Sequence, residues 1–239
     1  MESWQIAHRW LSSATSVAVL TGAGISAESG VPTFRGPGGL WRNHRPEDLA
    51  TPRAFERDPL QSWEWYNWRR TVIASVEPNA GHRALARIEE RSPRFTLVTQ
   101  NVDGLHDRAG SRNILKVHGD IWTLRCTRCA RAWQDLRPAL PDLPPKCECG
   151  ALARPGVVWF GDGLPGDVWR EAVAAARACD VFLLVGTSAV VYPAAGLAEL
   201  ARSHGAKVIE INIEETPLSD HVDLSWCTRA SEALPMLAE

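Results

Sequence analysis

The sequence lacks any apolar run of the roughly 20 residues that a membrane-spanning helix requires. Its first residues, "MESWQIAHRWLSSATS", also lack the apolar stretch ending in small residues that marks a signal peptide. We therefore expect a cytoplasmic protein that has no membrane partner. In that reducing compartment the six cysteines are predicted to be metal ligands or free thiols rather than disulfides.

A strong net charge is absent too, since the formal value is only −2 over 239 residues. A chain with so little net charge does not attract nucleic acid or an anionic membrane by its overall electrostatic field. Any acidic ligand must therefore be bound by a few local basic or polar groups. The segment "RCTRCARAW" is basic and aromatic, which leaves a zinc-ribbon protein that binds nucleic acid as an alternative. Because the surrounding residues are acidic, we predict no direct nucleic-acid partner.

Repeats and low-complexity segments are missing, and short apolar runs alternate with helical segments instead. "SVAVLTG", "RFTLVTQ" and "NILKVHG" have the length of strands, and "DVFLLVGTS" is apolar enough to be a buried central strand. This alternation predicts an α/β fold: a Rossmann-type parallel sheet with helices on both faces. The patterns predict helices at about 3–14, 59–76, 79–91, 165–178 and 193–203, then the strand "AKVIEINI" and a last helix.

Two insertions are expected to form a smaller lobe. Residues 32–76 hold a proline- and glycine-rich loop and a helical module, and residues 122–154 hold four of the cysteines. The Rossmann-type domain then comprises residues 1–31, 77–121 and 155–239. Ligands of such sheets bind at the carboxyl ends of the strands, where most polar segments of this sequence fall.

A glycine-rich turn, Gly22-x-Gly24-x-x-Ala27, follows the first strand and opens a helix, as in dinucleotide-binding turns. Gly22 would make the tight turn, Gly24 would let backbone N–H groups approach a pyrophosphate, and Ala27 would permit close helix packing. The acidic strand end that dehydrogenases carry about 20 positions later is missing. A Rossmann dehydrogenase is therefore a disfavoured alternative. The ribose contact is assigned to Asn212 and Glu214, whose other interpretation is a solvated strand end.

Four cysteines have the spacing of a four-thiolate zinc site: Cys126-x2-Cys129 and Cys147-x-Cys149. The second pair has one intervening residue where two or more are usual, which still allows tetrahedral closure. Four protein ligands leave no open position, so the predicted zinc is structural; the alternative is free thiols. Cys179 and Cys227 lie in apolar sequence and are predicted to be small buried residues.

These segments together resemble the sirtuins, the NAD-dependent protein-lysine deacylases. The resemblance covers about residues 17–237 in family order and rests on "GAGISAESGVPTFRG", "TQNVDGLH", "KVHGD", "GVVWFGD", "GTSAVVYPAA", "INIE" and the cysteine pairs. It departs at Asp162, where glutamate is commoner. The resemblance implies that the acyl-lysine oxygen attacks C1′ of the nicotinamide ribose, which gives nicotinamide, O-acyl-ADP-ribose and free lysine. NAD is then a consumed co-substrate. Mono-ADP-ribosyl transfer is a further alternative within the family.

The resemblance also implies catalytic roles. His118 would be the general base for a ribose hydroxyl, which suits an imidazole because its pKa of about 6.5 lies near operating pH. Gln100 and Asn101 would hold the ribose, and Asp103 would bind the carboxamide together with the backbone at Ile25. Without the family motif, His118 is a satisfied structural histidine, and the segment at 100–103 is an Asx-type turn that caps a helix.

Further contacts are implied for the cofactor and for an acyl-lysine peptide. The cofactor set adds Gly22, Ala23, Gly24, Ala27, Phe34, Arg35, Trp41, Gly186, Thr187, Ser188, Asn212, Glu214 and Ala230. In it, Arg35 lies near the pyrophosphate, unless it forms a surface salt bridge, and Phe34 shields the reactive carbon from water. An extended peptide would add as a strand between "VVWFG" and "AVVYP", at Val158, Trp159, Phe160, Gly161, Val191 and Tyr192. Alternatively, both segments are edge strands closed by Gly161 and Pro193.

The stretch "WEWYNWRR" carries a specificity hypothesis. On a helix, Trp65, Trp68, Val72 and Val76 form one apolar stripe, and Arg69 falls about 40° from its centre while Arg70 falls about 140° away. Arg69 is therefore predicted to face inward, either snorkelling over the tryptophans or for a function. Tyr66-x-x-Arg69 resembles the pair that marks the desuccinylase branch of sirtuins. This implies a preference for succinyl-, malonyl- or glutaryl-lysine over acetyl-lysine; the alternative is mainly a deacetylase.

Overall fold

The computed structural model describes residues 2–33 and 46–239. Nine strands lie in this part of the chain: β1 (Ser16–Thr21), β2 (Arg94–Thr99), β3 (Ile114–Lys116), β4 (Gly119–Cys126), β5 (Ala132–Gln134), β6 (Ala153–Val157), β7 (Val181–Val185), β8 (Lys207–Asn212) and β9 (Leu224–Cys227). Ten α-helices accompany them: α1 (Ser3–Ser13), α2 (Ala23–Ala27), α3 (Pro46–Leu49), α4 (Pro52–Arg57), α5 (Pro59–Ala74), α6 (Ala80–Arg91), α7 (Leu105–Ala109), α8 (Gly166–Ala178), α9 (Gly196–Ser203) and α10 (Ala230–Leu237).

The large sheet has the strand order β3-β2-β1-β7-β8-β9, and every neighbouring pair is parallel. Alternate residues of a strand point to opposite faces. In β1, Val17 and Val19 therefore pack in a core with residues of α1, α6 and α10, whereas Ala18 and Leu20 pack with residues of α8 and α9. Helices thus cover both faces, and the predicted Rossmann-type α/β fold is confirmed.

A smaller lobe has its own core, built from α5, the antiparallel sheet β5-β4-β6 and the loops around them. The strands β4 and β6 each cross one of the expected domain boundaries, at 121/122 and 154/155. We retain the two-lobe division as a proposal, with the boundaries moved to the ends of these strands. The sequence patterns had not predicted this antiparallel sheet, nor β9 or the short helices α3 and α4.

The predicted apolar stripe of α5 is wrong. Trp68 is 48% exposed, whereas the buried face consists of Ser62, Trp63, Trp65, Tyr66, Arg69, Arg70 and Ile73. Arg69 is buried as predicted. Arg70 is buried as well, because the main chain of the small lobe provides three carbonyl acceptors for its guanidinium: Ile121, Asp135 and Arg137. Counting apolar residues could not locate this face.

Candidate active site and zinc site

Polar residues meet where the neighbouring parallel strands β2, β1 and β7 end. The Gln100 side chain donates from Nε2 to Thr187 Oγ1 at 3.1 Å, and Asn101 donates from Nδ2 to the Gly22 carbonyl at 2.9 Å. These bonds join residues that are about 80 positions apart in the chain. The structure therefore brings together the predicted residues of three separate motifs at the carboxyl edge of the sheet.

The glycines of the turn lie against the residues that follow β7. The Gly24 N–H donates to the Gly186 carbonyl at 2.7 Å, so it is not a free donor for a pyrophosphate. A Cβ on Gly22 would lie 2.7 Å from Thr187 Cβ, and one on Gly24 would lie 2.7 Å from the Gly186 oxygen. Both glycines are thus required for close approach to the end of β7. Ala27 is exposed, which contradicts its predicted packing role.

Asp103 is buried in a network that follows β2. Its carboxylate accepts from Ser26 Oγ at 2.8 Å and from the Leu105 backbone N–H at 2.8 Å. Burial raises the pKa of Asp103, against the opposing effects of the hydrogen bonds from Leu105 and Ser26 and of the positive charge on Arg69. The Ile25 side chain is fully buried, and its carbonyl accepts from Asn79 Nδ2 at 2.7 Å. The hydrogen bond from the Leu105 N–H to Asp103 is the one expected of an Asx-type turn. The Asp103 carboxylate that accepts it also lies at the carboxyl edge of the sheet.

His118 follows β3 and lies beside Gln100. Its Nδ1 is 3.1 Å from the Gln100 carbonyl, which can only accept, so in the neutral ring Nδ1 carries the hydrogen and Nε2 remains the basic atom. Burial lowers the pKa of His118 more than this hydrogen bond raises it. The side chain is therefore a neutral imidazole at neutral pH, with the charge state that a general base requires.

Two further histidines lie under the site, and the sequence patterns had not singled them out. His82 and His106 are buried with ring centroids 4.8 Å apart. His82 Nε2 is 3.3 Å from Ser26 Oγ, and His106 Nε2 is 3.0 Å from Thr21 Oγ1. Burial lowers the pKa of His82 to about 4 and lowers that of His106 as well. In the sequence, Ser26 lies inside the glycine-rich motif, and this position could have indicated that its hydroxyl takes part in a hydrogen-bond network at the site.

The remaining predicted cofactor residues lie at or near the same edge. Ser188 and Glu214 are exposed, Ala23 and Asn212 are half-buried, and Ala230 is buried at the start of α10. Asn212 Nδ2 donates to the Glu214 carbonyl at 2.9 Å, so the end of β8 is ordered by its own contacts. Three other predicted residues, Phe34, Arg35 and Trp41, lie outside the described residues.

The predicted acyl-pocket pair lies on the inner face of α5. Tyr66 and Arg69 are 2% and 7% exposed, and the Arg69 guanidinium carbon is 5.8 Å from the Tyr66 ring centroid and 4.9 Å from that of Trp65. Trp159, from the segment after β6, donates from Nε1 to the Tyr66 hydroxyl oxygen at 2.8 Å. A phenol and a guanidinium thus lie together in an aromatic environment.

Of the two segments predicted to flank a peptide, only Val157 belongs to a strand, at the end of β6; residues 158–161 and 189–193 do not form strands. The Val158 N–H donates to the His118 carbonyl, Trp159 N–H to Asp162 Oδ2, and Phe160 N–H to the Ala50 carbonyl. These three N–H groups are therefore not free, contrary to the prediction of an open edge. Gly161, the next residue, adopts φ +94°. The side chains of Phe160 and Tyr192 are exposed, and Val191 is half-exposed, so they could contact a ligand.

The four predicted zinc ligands meet at one point of the small lobe. The ligand atoms of Cys126, Cys129, Cys147 and Cys149 lie within 4.8 Å of one another, with Sγ–Sγ distances of 3.5 Å for Cys126–Cys149 and 3.8 Å for Cys129–Cys147. Tetrahedral Zn–S bonds of about 2.3 Å place sulfur atoms about 3.8 Å apart, so the cluster fits one structural zinc ion. Cys179 is buried as predicted, but Cys227 is exposed near the end of the chain, which corrects its assignment.

The fold and these sites define a two-lobed Rossmann-type protein with a four-thiolate zinc site in the smaller lobe. A family model described as the Sir2 family matches residues 22–193. The chain belongs to the Sir2 family. The resemblance to sirtuins is thereby confirmed.

No helix among the described residues is long and apolar enough to cross a membrane.

Curated relatives and solved structures support this assignment. An NAD-dependent protein deacylase of Aquifex aeolicus is 53% identical over 220 residues, covering 92% of each chain. One of Mycobacterium tuberculosis is 49% identical over 93% of this chain and 96% of its own. A Sir2 homologue mutant in complex with ADP-ribose has a TM-score of 0.95 at 44% identity, covering 100% of this chain and 95% of its own. A Sir2 homologue–NAD complex has a TM-score of 0.93 at 44% identity, covering 98% and 92%.

Proposed function

We propose that this Sir2-family enzyme, an NAD-dependent protein deacylase like its named relatives, prefers lysines that carry acidic acyl groups. Succinyl-, malonyl- and glutaryl-lysine would be the main substrates and acetyl-lysine a weaker one. The observation that carries this proposal is the pair of Tyr66 and Arg69, both buried and one helical turn apart. A guanidinium and a phenol side by side suit a planar carboxylate, which would accept charge-assisted hydrogen bonds from both.

The chemistry is assigned to the residues at the sheet edge. His118 would accept a proton from a ribose hydroxyl at Nε2, while Gln100 and Asn101 hold the ribose and Asp103 the carboxamide. His118 suits this role because its Nδ1 is already engaged and its pKa is lowered by burial. NAD would be consumed, with nicotinamide, O-acyl-ADP-ribose and free lysine as products.

The peptide is proposed to bind as an extended strand beside Phe160 and Tyr192, whose large side chains are exposed. The three N–H groups of residues 158–160 have partners within the chain. The carbonyl groups of that segment and the backbone of residues 189–193 would therefore have to form the main-chain hydrogen bonds to the peptide. One of the solved Sir2 structures, with a TM-score of 0.88 at 30% identity and coverage of 99% of this chain and 97% of its own, contains a deacetylated peptide. A cytoplasmic location remains a prediction, in keeping with four cysteines that cluster as metal ligands.

Arg69→Met tests the acyl preference. It should cost about 2–5 kcal/mol in kcat/KM for a succinyl-lysine peptide, the range for removing one partner of a buried charge pair, because the carboxylate loses its cation. The acetyl-lysine peptide of the same sequence should be much less affected. Arg53→Met, which changes an exposed arginine on α4, is the matched control. Equal losses on both peptides in Arg69→Met would leave Arg69 a packing role only.

A further inference from the structure

The hydrogen bond between Trp159 and Tyr66 has a fixed direction. An indole N–H can only donate, so the Tyr66 oxygen is the acceptor at this 2.8 Å contact. The hydrogen of the Tyr66 hydroxyl must therefore point away from Trp159. Both side chains are almost fully buried, which means that bulk water cannot readily accept that hydrogen.

The Tyr66 hydroxyl is thus a buried donor in need of an acceptor. Among the described residues, its only side-chain hydrogen bond is the one it receives from Trp159. Burial raises the pKa of Tyr66 to about 12, so the hydroxyl stays protonated at any physiological pH. A buried donor left without an acceptor is destabilising, and an acceptor provided by a bound substrate would remove that cost.

The Trp159 ring is held in the orientation that this contact requires. The Arg154 guanidinium carbon lies 3.5 Å from the ring centroid, and the Phe55 ring packs with a centroid distance of 5.3 Å. Asp162 accepts from Arg154 Nη2 at 2.6 Å and from the Trp159 backbone N–H at 3.1 Å. Asp162, at the position where glutamate is commoner in the family, therefore holds both the Arg154 guanidinium over the Trp159 ring and the backbone of Trp159.

We propose that Trp159 is a positioning residue for acyl specificity: its indole N–H occupies one side of the Tyr66 oxygen, so that the hydroxyl donates to the terminal carboxylate of the acyl chain beside Arg69. This inference rests on the proposed preference for acidic acyl groups and adds a residue to it. In this role the Trp159 side chain does not contact the peptide; it acts through Tyr66.

Trp159→Phe tests the inference because it keeps an aromatic ring and removes the N–H. The readout is the ratio of kcat/KM for succinyl-lysine to kcat/KM for acetyl-lysine in one peptide sequence, so that losses common to both substrates cancel. The ratio should fall about 3- to 10-fold, the value of one hydrogen bond that is no longer well directed. Tyr66→Phe should lower the ratio by itself, and adding Trp159→Phe to it should change the ratio no further, since the two residues act as one unit.

Trp63→Phe is the matched control, because Trp63 is buried in the same core and its Nε1 donates to the Ala153 carbonyl instead. It should lower stability without changing the ratio. An unchanged ratio in Trp159→Phe, or independent effects of Trp159→Phe and Tyr66→Phe, would overturn the role of Trp159 while the acyl preference stands. If Trp159→Phe does not fold, an unchanged ratio in Tyr66→Phe overturns it equally. A wild-type enzyme that does not prefer the succinyl peptide would remove the proposed function and the inference together.

Discussion

Arg70→Met is expected to destabilise the small lobe by about 3–5 kcal/mol, the range for removing one partner of a buried ion pair. Arg70 is fully buried in α5, and its guanidinium donates to the Ile121, Asp135 and Arg137 carbonyls at 2.8, 2.5 and 2.7 Å. It also lies 3.6 Å from the Asp135 carboxylate and 4.9 Å from the centre of the Trp122 ring. Methionine fills much of the space but leaves these carbonyls without their donor.

The magnitude follows from the type of bond that is lost. Hydrogen bonds to a charged group are worth about 1.5–3 kcal/mol each, so three of them set an upper limit. The net value is smaller, because Arg70 Nε is buried without a partner among the described residues and the charge is costly to desolvate. This expectation rests on the burial of Arg70, which helical periodicity had placed about 140° from the centre of the predicted apolar stripe.

Urea unfolding with zinc held constant measures the effect. Arg137→Met is the control, since Arg137 bonds the same Asp135 carboxylate but its side chain is 61% exposed, and an exposed pair is worth about 0–1 kcal/mol. The midpoint should fall clearly more in Arg70→Met than in Arg137→Met. Equal midpoints in the two variants would refute the argument that Arg70 holds α5 against the small-lobe sheet.

Three further predictions concern catalysis, zinc and pH. His118→Tyr should abolish deacylation while NAD still binds by calorimetry, and the acid limb of the wild-type rate profile should lie below about pH 6.5, because burial lowers the pKa of His118. Cys126→Ala should lose bound zinc by metal analysis and lower the unfolding midpoint, since ligand binding and folding are linked; chelation without loss of stability would contradict this. His82 titrates near pH 4 when folded and near 6.5 when unfolded, so the unfolded state takes up the proton first as pH falls. Stability should therefore decline from about pH 6.5 toward 4, and less steeply in His82→Asn.

The sheet was predictable because its strands are buried on both faces. Every residue of β1 and β7 is buried, so these strands appear in the sequence as continuous apolar runs. The order of helices and strands then fixed the class of fold. By contrast, β9 alternates between half-buried and exposed residues at the edge of the sheet, and it was missed.

The parts that were not predicted depend on contacts between distant residues. The requirement for glycine at Gly24 comes from Gly186, which lies 162 positions later. The buried position of Arg70 comes from carbonyls on the other side of the lobe, which no helical periodicity can indicate. The four cysteines were predictable because the chemistry of a tetrahedral metal restricts their spacing. The pair of Tyr66 and Arg69 was found only through the resemblance to a family.

The most direct test of the account is a mass-spectrometric assay of one lysine peptide that carries either a succinyl or an acetyl group, each with and without NAD. The account predicts that the succinyl peptide is converted faster, only when NAD is present, with one nicotinamide and one O-succinyl-ADP-ribose formed per free lysine. Faster conversion of the acetyl peptide, or succinyl removal without NAD, would contradict it.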